Sequence, residues 1–260
     1  MGKFNLHTHT YRCNHSRGED EDFVLAAIEN GYTTMGFSDH APYIFPEGIN
    51  YYSDFRMKPY RTQGYADSVR ALGEKYKDKI DVKLGFEVEW YPDLIEKELE
   101  YLKSFNYDYL ILGQHHISNE IDKNARYTGR ETRKVKHLDM YISQVLAAAR
   151  SGEFAYIAHP DILNFTGNKN IYRQKIESFI RELKEIDIPL EYNFLGYTGK
   201  RQYPNPVFWE LAAKYGNKTV IGLDAHQPWV YADSENLEKM KEEIRFLGLN
   251  LIEDVNEILK

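Results

Sequence analysis

Seven apolar runs, each four to seven residues long, recur along the chain: Lys3–Leu6, Thr34–Phe37, Val82–Val88, Tyr107–Leu112, Phe154–Ala158, Leu190–Phe194 and Thr219–Leu223. Amphipathic stretches separate them, beginning with "DEDFVLAAIEN" at Asp20–Asn30, which puts Phe23, Ala27 and Ile28 on one side. "YADSVRALGEKY", "LIEKELEYLKSF", "DMYISQVLAAARS", "IESFIRELKEI", "PVFWELAAKYG" and "LEKMKEEIRFLG" continue the pattern. Gly31, Gly152, Gly216 and Gly248 stand where left-handed helix caps are needed. Strands separated by helical crossovers pair in parallel. The expected fold is therefore α/β, as a closed or nearly closed (β/α) barrel, with an open doubly wound sheet as the other solution. No linker, low-complexity segment or strong internal repeat interrupts it, so residues 1–260 read as one domain.

Bulk properties exclude several classes of function. A net charge of −7 disfavours a nucleic-acid or membrane-surface binder, which needs a basic face. The single cysteine excludes an internal disulfide. No apolar stretch approaches the ~20 residues that span a bilayer, and no basic region followed by an apolar run suggests a signal peptide. The expectation is a cytoplasmic protein.

The chemistry-bearing residues cluster at the ends of the apolar runs. His7 and His9 follow the first, Asp39 and His40 the second, and Glu87 and Glu89 the third. His115 and His116 follow the fourth, His159 and Asp161 the fifth, and Asp224 and His226 the seventh. In extended chain, residues i and i+2 point the same way, so His7 with His9 and Asp224 with His226 can each aim two side chains at one place. A parallel barrel gathers all these strand ends on its C-terminal face, where active sites form. A lone His-x-His, or "AHP" or "SDH" alone, is ordinarily inert. Six segments converging on one face point to a metal site. Imidazole and carboxylate donors without thiolate suit Zn, Mn or Fe, and the donors suffice for two to three ions. A bridging carboxylate such as Glu87 would hold two ions ~3.5–4 Å apart, the usual arrangement for hydrolysing phosphate esters.

The ordered motifs "LHTHT…CNH", "GFSDHAP", "GFEVEW", "DYLILGQH", "AHPD", "PLEYN", "YPNPVFW" and "IGLDAH" resemble the PHP (polymerase and histidinol phosphatase) superfamily, and its monofunctional histidinol-phosphatase branch in particular. The resemblance runs through nearly the whole chain and implies a distorted (β/α)7 barrel carrying a trinuclear metal cluster. Residue by residue, it implies that His7, His9, Glu87 and Asp224 hold one ion. Glu87, His115 and His159 would hold a second, and His15, His40 and His226 a third. It selects His115 over His116 and Glu87 over Glu89. Cys13 reads as a packed bystander and His137 as a helical surface residue.

A small phosphorylated substrate also needs cations for its free oxygens, and arginine captures them best. Arg56 and Arg201 rank first, with Arg17 and Lys200 behind them. The expected reaction is hydrolysis of L-histidinol phosphate by in-line attack of a metal-activated hydroxide. A metal-bound water, or an acid such as Asp39 or Asp161, would protonate the leaving alkoxide, with His40 beside the reacting centre. Tyr51, Tyr52 and Phe55, in the long "APYIFPEGINYYSDFRMKPYRTQG" connection, could face an imidazole ring or cap the barrel. The rivals are a phosphoesterase for a nucleotide or sugar phosphate and a metal-binding module without turnover.

Overall fold

The computed structural model describes residues 2–46 and 53–259. Eight parallel strands form one curled sheet in spatial order β1 (Lys3–Asn5), β2 (Tyr32–Phe37), β3 (Asp81–Val88), β4 (Tyr109–Leu112), β7 (Tyr156–Ile157), β8 (Leu190–Asn193), β9 (Lys218–Gly222) and β10 (Asn250–Leu251). Seven of them fall on the seven apolar runs. The eighth, β10, is a two-residue edge strand without an apolar run of its own. A short antiparallel hairpin, β5 (His116–Ile117) with β6 (Arg126–Tyr127), stands beside the end of β4.

The helices are α1 (Asp20–Glu29), α2 (Thr62–Tyr76), α3 (Ile95–Lys103), α4 (Val135–Ser151), α5 (Lys169–Ile186), α6 (Phe194–Thr198), α7 (Pro206–Tyr215) and α8 (Ser234–Leu247). Each long helix lays an apolar stripe on the outside of the sheet. On α5 the stripe is Tyr172, Ile176, Phe179, Ile180 and Leu183, all buried. Each such side chain contributes roughly 1.5–3 kcal/mol relative to exposure. Gly152, Gly216 and Gly248 end α4, α7 and α8 in the left-handed conformation that the sequence predicts. Inside the curl, Leu6, Tyr109, Ile111, Tyr156, Ala158 and Val220 pack together, and Ile252 and Ile258 of the C-terminal segment join them. Among the described residues no helix is long and apolar enough to cross a membrane.

The ring closes at one end only. Just past β1 and β9, Thr8 bridges Ala225, with the His9 amide donating to the Ala225 carbonyl at 3.0 Å and the Ala225 amide to the His7 carbonyl at 3.1 Å. Asn5 ties the same seam: its Oδ1 accepts from the Leu223 amide at 2.9 Å, and its Nδ2 donates to Thr8 Oγ1 and to Tyr231 Oη, each at 2.9 Å. At the other end β10 pairs with β9, and a groove of about 400 Å³ lined by Lys3, Phe4, Ile221 and Leu251 separates the first strand from the last. The result is the distorted barrel expected from the resemblance.

One buried acid makes stability pH-dependent. Glu98 of α3 is fully buried, its Oε2 accepting from the Ile44 amide at 3.1 Å, and burial lifts its pKa from 4.5 to about 8. Between these values the folded chain carries a proton that the unfolded chain has lost, so stability falls as pH rises, by ~1.4 kcal/mol per unit. Glu98→Gln should therefore raise Tm at pH 9 and change it little at pH 5. An equal shift at both pH values would show that the carboxyl is ionised in the fold.

Candidate metal centre

All the strand-end histidines named from sequence except His116 meet at the closed end of the ring. His7 and His9 leave β1 with their Nε2 atoms 3.1 Å apart. A short turn at Tyr11–Cys13, capped by Thr10, then reverses the chain through Asn14 (φ 70°) and returns His15 to the same place. There His15 stacks on Phe55, with ring centroids 5.6 Å apart. His40 follows β2, and its backbone pairs with that of Glu87. Asp224 does not continue the extended strand. It lies at φ 50°, and His159 lies at φ 31°, so both leave their strands through the left-handed region that non-glycine residues seldom enter. Asp224 and His226 thus meet through a turn rather than through strand alternation, and His226 Nδ1 lies 3.3 Å from Asp224 Oδ1.

Glu87 is the hub. Its Oε1 lies 2.9 Å from His159 Nε2, 3.6 Å from His115 Nε2 and 3.7 Å from His7 Nε2. Its Oε2 lies 2.8 Å from His40 Nδ1 and 3.7 Å from His9 Nε2. Gly113 makes this possible, because a Cβ there would sit 1.9 Å from Glu87 Oε1. Asp224 Oδ1 lies 3.1 Å from His9 Nε2. Burial alone would raise both carboxyls, but the imidazoles hold them well below the carboxylate range: His115, His40 and His7 around Glu87, and His7, His226 and His9 around Asp224. Burial would lower His7, but Glu191, Asp224 and Glu87 push it up to about 10. Burial, with His226 and His9 nearby, takes His15 down to about 4.

This donor set fits divalent ions. Ligand atoms of His7, His9 and Asp224 come together, as do those of His7, Glu87 and His159, of His9, His40 and Glu87, and of His15, His40 and His226. Glu87 Oε2 and His226 Nε2 are buried without a hydrogen-bond partner. Buried polar atoms ordinarily have one, and cations held by His9, His40 and Glu87 and by His15, His40 and His226 would supply it. Cys13 is buried, with Sγ donating to the Thr10 carbonyl, and burial raises its thiol to about 11.

A cleft of about 460 Å³ opens over the cluster, lined by His15, His40, His115, His159, Asp224 and His226 below and by Phe55, Tyr127, Ile162, Leu195, Arg201, Tyr203 and Gln227 around it. Arg201 stands on its rim, donating to Tyr203 Oη at 3.1 Å.

Several candidates lie elsewhere. Arg56 is buried away from the cleft, its guanidinium bound to Glu89 at 2.8 Å, to Glu120 at 2.6 Å through Nε and to the Ala41 carbonyl at 3.1 Å. Every guanidinium nitrogen is occupied, which leaves none for a phosphate. Asp39 sits behind the cluster, accepting from the Thr10 hydroxyl and from the His40 amide at 2.9 Å, with His9 Nδ1 at 3.4 Å. Asp161 accepts from the Asn205 amide at 2.5 Å and Trp209 Nε1 at 2.9 Å, which fastens the start of α7. Burial lifts its carboxyl to about 6. Neither acid faces the cleft, so the expectation that one of them protonates a leaving group is corrected. Arg17 and Lys200 are exposed and outside the lining. Phe55 faces the histidines, whereas Tyr51 and Tyr52 lie outside the described residues. His116 turns to Glu89, at 3.4 Å, and His137 is half-buried beside Thr132.

The sequence reading missed two residues on β8. Glu191 and Asn193 of "PLEYN" are buried beside the cluster. The available signal was two polar side chains at i and i+2 in an otherwise apolar strand.

The chain is similar to known proteins in sequence and in fold. A probable histidinol-phosphatase of Deinococcus radiodurans is 28% identical over 231 residues, covering 87% of each chain. The fold matches that of Lactococcus lactis histidinol phosphate phosphatase, whose structure contains zinc, L-histidinol and phosphate, with a TM-score of 0.73 at 19% identity over 96% of this chain and 95% of that one. A Listeria monocytogenes structure gives the same TM-score at 17% identity, covering 90% of this chain and 99% of its own. The family model described as the PHP domain matches residues 5–194, nearly three-quarters of the sequence and all but two of the clustered side chains, and the chain belongs to that family.

Proposed function

We propose that residues 1–260 form one metal-dependent phosphomonoesterase domain that hydrolyses L-histidinol phosphate to L-histidinol and phosphate. The observation that carries this reading is Glu87, a buried carboxylate with imidazoles against both oxygens, beneath a cleft with one arginine on its rim. The Deinococcus and Lactococcus relatives supply the substrate. His7, His9, Glu87 and Asp224 would hold one ion, Glu87, His115 and His159 a second, and His15, His40 and His226 a third, each zinc, manganese or iron. Bound ions would supply an acidic water and neutralise charge on the phosphoryl oxygens.

The chain's own residues do the rest. Arg201 reaches inward to bind the free phosphoryl oxygens, in a site where water is largely displaced and such contacts strengthen. Phe55, Ile162 and Leu195 wall the organic part of the ester and hold the P–O bond over the cluster. Water oxygen bonds to phosphorus as the ester P–O bond breaks, and the alkoxide takes a proton of water in the cleft, since Asp39 and Asp161 face elsewhere. The domain works as a cytoplasmic enzyme on a small substrate, without nucleic acid or membrane.

The test is phosphate release from a panel of monoesters by purified protein, with metal content measured on the same sample. Histidinol phosphate should be preferred, with two to three first-row ions per chain. Equal rates on nucleotides or sugar phosphates would reassign the substrate. Metal without turnover of any ester would make the chain a binding module.

A further inference from the structure

Of the seven described strands whose ends gather at the closed end of the ring, β8 alone contributes no ligand to the proposed metal centre, yet its Glu191 contacts two of the ligands directly and a third through Asn193. The side chain is fully buried. Its Oε2 accepts from His7 Nδ1 at 2.7 Å. Its Oε1 accepts from Asn193 Nδ2 at 2.6 Å and from the His159 backbone amide at 3.3 Å. Asn193 Nδ2 in turn lies 3.2 Å from Asp224 Oδ2. The neighbouring strand is shaped around this carboxylate: a Cβ on Gly222 would lie 2.0 Å from Glu191 Oε2. Any larger residue there would displace the carboxylate or itself.

We propose that Glu191 is the positioning residue of the metal centre. A carboxylate only accepts hydrogen bonds, so Nδ1 of His7 keeps its proton and Nε2, which faces Glu87 and Asp224, is the nitrogen left for an ion. The same carboxylate orients Asp224 through Asn193 and holds the backbone of His159, so one side chain sets three of the ligands. This rests on the metal-centre reading given under Proposed function and adds the group that aims it. Glutamine cannot substitute. Three donors converge on the two oxygens of Glu191, and an amide would turn its own N–H groups against at least one of them.

The experiment is zinc transfer from zinc-loaded protein to a chromophoric chelator, for wild type, Glu191→Gln and Gly222→Ala, with thermal unfolding of the metal-free proteins alongside. Glu191→Gln should hold at least one zinc ion about 10–100-fold more weakly. Gly222→Ala should shift zinc affinity in the same direction, because it moves the carboxylate without removing it, and in both variants the loss of zinc affinity should exceed what any fall in metal-free Tm accounts for. Zinc held as tightly as in wild type by either variant that remains folded would overturn the proposal. So would weakened zinc binding that merely follows a fall in metal-free Tm, which would make Glu191 a structural group. Wild type that binds no zinc would overturn the metal-centre reading as well. Wild type that binds zinc alongside equally tight variants would overturn this proposal alone.

Discussion

Glu87→Gln should give a folded protein whose kcat/KM for its phosphate ester is lower by about 10³-fold or more. Charge stabilisation by bound ions is worth several kcal/mol, and each ~1.4 kcal/mol is a factor of ten. Glu87 alone places oxygens against His7, His40, His115 and His159 together, so its loss uncouples both halves of the cluster. Glutamine keeps the shape above Gly113 and removes the charge that balances the imidazoles. Steady-state kinetics and metal analysis on one preparation check this. Activity within tenfold of wild type would remove Glu87 from the centre of the mechanism.

The second large effect separates two arginines that the sequence ranks equally. Arg56→Ala should cost about 3–5 kcal/mol of stability, because Glu89 and Glu120 would remain buried without their cation. In a chain of this size that is a fall in Tm on the order of 10 °C. Arg201→Ala should leave Tm unchanged and lower kcat/KM by about 10²–10³-fold, the scale for losing one donor to a reacting oxyanion. Calorimetry and kinetics on both variants decide the matter. An Arg56→Ala protein with wild-type Tm but no activity would return Arg56 to the phosphate.

The contrast shows what the sequence can express. The strands were legible because parallel strands are buried on both faces and read as unbroken apolar runs. Asn250–Leu251 was not, since two residues at a sheet edge carry no such pattern. The histidine cluster was legible because parallel topology alone sends strand ends to one face. His15 came only from the resemblance, because a turn through Asn14 returns it to the site and no periodicity encodes that reversal. Arg56, Asp39 and Asp161 were misread for one shared reason. Their residue types suit phosphate chemistry, but which way a side chain turns is decided by partners far off in sequence: Glu120 for Arg56, Thr10 for Asp39 and Trp209 for Asp161. Glu191 was overlooked because two polar side chains in an apolar strand, Glu191 and Asn193, mark a buried polar site without saying which imidazole they will meet.

The seam between Thr8 and Ala225 has a consequence in time. The imidazoles of His7 and His9 leave the ribosome before Asp224 and His226, which follow roughly two hundred positions later. At about 5–20 residues per second that interval is some ten to forty seconds. Throughout it His7 and His9 have neither Glu87 nor Asp224 set beside them in a closed ring. A chain released early would carry the histidine pair without the stitch that makes it a centre. On the proposed ligand set, a centre that needs both His7 and Asp224 would load only once β9 has been made.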